Sequence, residues 1–104
     1  MPIKIADLSS LRQFSPEGPT SLPVFGDMVD SQIVCLEPGQ EWRHDSNGHR
    51  LVYIVLEGQA QLSAADKQRQ MGVSALALVE PGTHHILKNN RDDRVAVLRI
   101  QTKP

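Results

Sequence analysis

Gly39-Gln-Glu-Trp-Arg-His-Asp-Ser-Asn-Gly-His-Arg-Leu-Val-Tyr-Ile-Val-Leu-Glu-Gly58 sets two histidines, His44 and His49, on either side of a Ser-Asn-Gly turn. It then runs into Leu51–Leu56, a β-branched and aromatic segment of the length of a buried strand. A second histidine-bearing stretch, Glu80-Pro-Gly-Thr-His-His-Ile-Leu-Lys-Asn89, repeats the arrangement: a Pro-Gly turn delivers His84 and His85 into another short apolar run. All 4 histidines of the chain therefore flank two turn-to-strand junctions. Imidazoles gathered at the ends of strands are the sequence's one strong functional signal.

Outward from these stretches the chain keeps one rhythm. Short apolar or alternating runs follow one another from Val24 onward, and none sustains a helical period. The expected strands are Val24–Val29, Gln32–Glu37, Glu41–His44, His49–Glu57, Gln59–Ser63, Gln68–Met71, Ala75–Val79, His84–Lys88 and Arg94–Gln101. Between them stand turn formers such as Pro38-Gly39, Gly58, Gly72 and Pro81-Gly82. The chain is therefore read as all-β, a sandwich or barrel closed on itself. Residues 1–22 form an arm with a short strand expected at Ile3–Leu8; Pro16, Gly18, Pro19 and Pro23 break this part of the chain repeatedly, and the arm is expected to wrap the domain or a partner subunit. Residues 23–104 form the barrel domain.

The two histidine stretches resemble the paired motifs of the cupin superfamily. Gly39, His44 and Gly58 match the first motif, whereas Leu51 stands at the place of the family's glutamate ligand and Ser46 at that of its second histidine. Gly82, His85 and Asn89 match the second motif, with Pro81 one position late. The resemblance implies a double-stranded β-helix, or jelly-roll barrel. It also implies that position 51 faces inward, so that His49, Leu51, Tyr53 and Val55 line the interior. In the facing motif His85, Leu87 and Asn89 share one face and His84 takes the other. On this reading His44, His49 and His85 converge at the barrel mouth with Tyr53 beneath them, and Leu51, Trp42 and Asn89 complete a pocket. Three imidazoles with open positions suit a divalent transition metal: zinc, nickel, iron or manganese.

Two functions follow. One is a metal-dependent oxygenase or isomerase acting on a small metabolite. The other is a non-catalytic, metal-free barrel that binds a sugar or an organic acid, and the residues leave open whether any reaction occurs. Composition narrows the partners. With 11 basic and 12 acidic residues and a formal charge of −1, the chain has no basic stripe for nucleic acid or an anionic membrane. A lone Cys35 inside an apolar run reads as a small buried hydrophobe and fits a reducing compartment, and no apolar segment of signal or spanning length is seen. A cytoplasmic homodimer joined through exposed strand edges, binding a small molecule, is the expectation.

Overall fold

The computed structural model describes residues 2–25, 29–43 and 48–102. Among these, nine strands form two antiparallel sheets: β1 Thr20–Pro23, β2 Ser31–Leu36, β3 Glu41–Trp42, β4 Arg50–Glu57, β5 Ala60–Ala64, β6 Lys67–Met71, β7 Leu76–Val79, β8 His85–Lys88 and β9 Val95–Thr102. One sheet has the order β1-β2-β9-β4-β7 and the other β3-β8-β5-β6. Alternation within each strand sends one set of side chains between the sheets. That set includes Val34, Leu36, Trp42, Leu51, Tyr53, Val55, Ala60, Val79, Leu87, Val95 and Val97.

The five-stranded sheet is covered on its outer face as well, which is why β2 and β9 read as nearly continuous apolar runs. Ile33, Cys35 and Ala96 point outward and pack beneath Ala6, Leu8, Leu11 and Phe14 of the N-terminal arm. The arm is held by polar contacts too. Arg12 pairs with Glu57 at 3.0 Å, and the Gln40 side-chain amide donates to the Ser15 carbonyl at 2.6 Å.

The sequence misplaced the beginning of the sheet. Ile3–Leu8 is not a strand, and Leu8–Ser10 forms a single 3-10 turn capped by the Asp7 carboxylate, which accepts from the Ser9 amide. In place of the strand expected at Val24–Val29, Thr20–Pro23 pairs with β2, while Val24 and Phe25 have left the sheet and residues 26–28 lie outside the described set. Pro23 is a breaker in a central strand, but β1 is an edge strand, where a residue without an amide hydrogen is tolerated.

The two ends of the barrel differ. At one end, Gly58 follows β4 with φ of 75°, and a Cβ there would stand 2.2 Å from the Arg94 carbonyl oxygen, so only glycine fits. Asn89 closes the same end. At the other end lie the start of β4, the start of β8 and the last residues of β9, with the described histidines His49, His84 and His85.

Candidate functional site

His85 opens β8, opposite Ala64 of β5, and its ring points between the sheets with the residue 4% exposed. Nδ1 lies 3.0 Å from the Thr83 carbonyl, which can only accept, so Nδ1 carries the proton. Nε2 is then the lone-pair nitrogen and accepts from the Tyr53 hydroxyl at 2.7 Å. Tyr53 rises from the middle of β4 in the opposite sheet and is fully buried. The two rings meet edge-on, with centroids 5.5 Å apart. This hydrogen bond ties the two sheets across the interior and fixes the imidazole in one tautomer. A phenol that donates in this way presents its oxygen to other groups as an acceptor.

His49 stands just before β4, half-buried, with Nδ1 3.0 Å from the Thr102 carbonyl. His84 precedes β8 and borders an open cleft of about 480 Å³ with Arg43, Ser63, Ala65, His85 and Ile86. His44 lies outside the described residues. The rim is braced by Arg50, which donates through Nε and one terminal nitrogen to the two Glu80 oxygens at 3.1 Å each. The hydrogen bond from Arg50 holds the Glu80 carboxyl below its ordinary range, and Glu80 in turn raises Arg50.

Of the remaining expected pocket residues, Leu51 and Trp42 are core side chains, packed with Leu87 and Val97. Asn89 needs a correction. Alternation puts it on the inward face with His85, but it stands four positions further along, about 13 Å away at strand rise. There its amide is consumed by the backbone: Nδ2 donates to the Leu36 and Asp93 carbonyls at 3.1 and 2.7 Å, and Oδ1 accepts from the Arg91 amide at 3.1 Å. Asn89 is a clip joining two turns, at the end of the barrel away from the histidines.

The described donors do not fit a metal centre. A metal ion on His85 requires the Nε2 lone pair that Tyr53 engages, Leu51 presents hydrocarbon where a carboxylate is needed, and no group of three or more ligating side chains occurs among the described residues. What these residues assemble instead is a buried phenol–imidazole pair.

One inward polar residue escaped the sequence reading. Arg99 on β9 is 5% exposed, opposite Tyr53 on one side and Gln32 on the other. The signal was present: Val95, Val97 and Arg99 are spaced by two, so a strand that buries the valines carries the arginine inward with them.

The architecture is that of a small cupin-fold domain, a double-stranded β-helix. A protein of Thermus thermophilus superposes with a TM-score of 0.84 at 24% identity, over 95% of this chain and 98% of that one. A cupin superfamily protein of Desulfitobacterium hafniense gives 0.80 at 17%, covering 97% and 92%. A sugar phosphate isomerase from the cupin superfamily of Silicibacter pomeroyi gives 0.77 at 22%, covering 97% and 76%. At such identities the likeness is one of fold. No protein-family model and no curated protein matches the chain.

Proposed function

We propose that this barrel binds a small polar molecule at its histidine-bearing end without a resident metal ion. Tyr53 and His85 form the polar floor of the pocket. The observation that carries this reading is the 2.7 Å contact between the Tyr53 hydroxyl and His85 Nε2, because it engages the one imidazole lone pair that a metal would take. Leu51 supports it by removing the anionic ligand that the cupin resemblance leads one to expect. The pair offers a ligand a polar floor and a ring of fixed orientation, which is recognition chemistry. The isomerase activity named for the Silicibacter pomeroyi protein is not carried over, since one barrel scaffold serves many unrelated chemistries.

The test is metal analysis of purified protein before and after incubation with zinc, nickel, iron(II) and manganese. Less than about a tenth of an equivalent is expected in every case, because an incomplete ligand set binds these ions weakly. Uptake near one equivalent, lost in His85→Ala, would overturn the proposal in favour of the metal-dependent oxygenase or isomerase.

A further inference from the structure

Arg99 is the one buried cation of the described residues, and no described acidic residue pairs with it. The other described arginines and lysines in ion pairs are exposed or half-buried: Arg12 with Glu57, Arg43 and Lys88 with Glu41, Arg50 with Glu80, and Arg94 with Glu37. Arg99 belongs to no described ion pair, and its buried Nε has no hydrogen-bond partner among the described residues. A buried guanidinium nitrogen without an acceptor is unfavourable, whereas a leucine or methionine in its place would leave no polar atom unpaired. Directly across the β2–β9 ladder, the Gln32 side chain has its Oε1 buried and equally unpartnered among these residues. A donor and an acceptor thus stand on facing positions without bonding each other.

We infer that Arg99 and Gln32 form the binding site for a compact α-hydroxy carboxylic acid, with the carboxylate on Arg99 and the hydroxyl on Gln32. This deepens the metal-free small-molecule reading and rests on it. The guanidinium presents parallel N–H groups that match the two oxygens of a planar carboxylate. One cation calls for one negative charge: the other inward side chains of β4 and β9 at this level, Leu51, Val55, Val97 and Gln101, are uncharged and would leave the second charge of a phosphate uncompensated. Val55 and Val97, 1% and 0% exposed, fill the barrel beyond the site and restrict it to a small acid. Tyr53, opposite Arg99 on β4, places the phenol oxygen on the same interior face.

Calorimetric titration of the full chain with lactate, glycerol and inorganic phosphate, in a carboxylate-free buffer, tests the inference. Lactate is expected to bind at one equivalent, glycerol not at all, and phosphate roughly tenfold or more weakly than lactate. Arg99→Met is expected to lose lactate affinity by roughly 30-fold or more while keeping its circular dichroism and melting as high as the parent, since it removes an uncompensated charge. Absence of lactate binding by the parent protein, or equal binding by Arg99→Met, would overturn the assignment. Should Arg99→Met not fold, the order of the three probes on the parent protein still decides. Glycerol binding without lactate binding would refute the carboxylate site and leave the metal-free small-molecule reading standing, whereas a full equivalent of transition metal lost in His85→Ala would remove that broader reading.

Discussion

Asn89 shows how a motif residue can be read correctly for position and incorrectly for purpose. Its spacing from His85 places both on one face of the chain through β8, but strand rise separates them by about 13 Å, and the amide is spent on two carbonyls and one amide nitrogen. Asn89→Ala is expected to destabilise the protein by about 2 kcal/mol or more, because two carbonyls at a buried site lose their donor. Urea unfolding would check it, and lactate affinity measured in the same variant should be unchanged. Face was legible in the sequence because side chains alternate; depth along the strand was not, because it depends on which partner closes which turn. Arg99 was missed for a related reason. Spacing by two puts Arg99 on the face of Val95 and Val97, but β9 is apolar on both faces, and only the arm over Ala96 and Leu98 tells which face is the interior.

Among the elements, strand positions from β2 to β9 were largely legible, since each is a short apolar or alternating run between turn formers. The beginning of the sheet was not, because proline in β1 weighs against a strand unless it is known to lie at an edge. Gly58 is the element boundary that tolerates least. It joins β4 to β5 at a left-handed φ, with the Arg94 carbonyl where a side chain would go. Gly58→Ala is expected to cost more than about 1 kcal/mol, combining the conformational penalty with displacement of backbone in the β8–β9 connection. Thermal unfolding measures the loss. Gly39→Ala, with a similar φ of 85° but nothing within 4 Å of the added carbon, gives the conformational part alone.

The molecule as a whole leaves one margin unguarded. Edge strand β6 carries Lys67 and Arg69, and edge strand β1 ends in Pro23, the usual protections against pairing with another chain. Edge strand β7, Leu-Ala-Leu-Val, has neither, and its outward Leu76 and Leu78 are 68% and 59% exposed. The homodimer expected from the sequence is therefore proposed to form through β7, paired with itself about a two-fold axis. Light scattering coupled to gel filtration should give twice the chain mass. The double substitution Leu76→Glu and Leu78→Glu should give a monomer, and a monomeric parent would sink the proposal.

The placement of β9 between β2 and β4 bears on how the protein comes into being. The central ribbon of the larger sheet is synthesised after the other eight described strands, and its flanking partners, made much earlier, have no neighbour across the gap until it arrives. Such distant pairing makes folding slow and leaves apolar edges bare on the growing chain. A nascent chain stalled before residue 95 should consequently be captured by chaperones and cut readily by proteases, and resistance should appear abruptly once Val95–Thr102 has cleared the ribosomal tunnel.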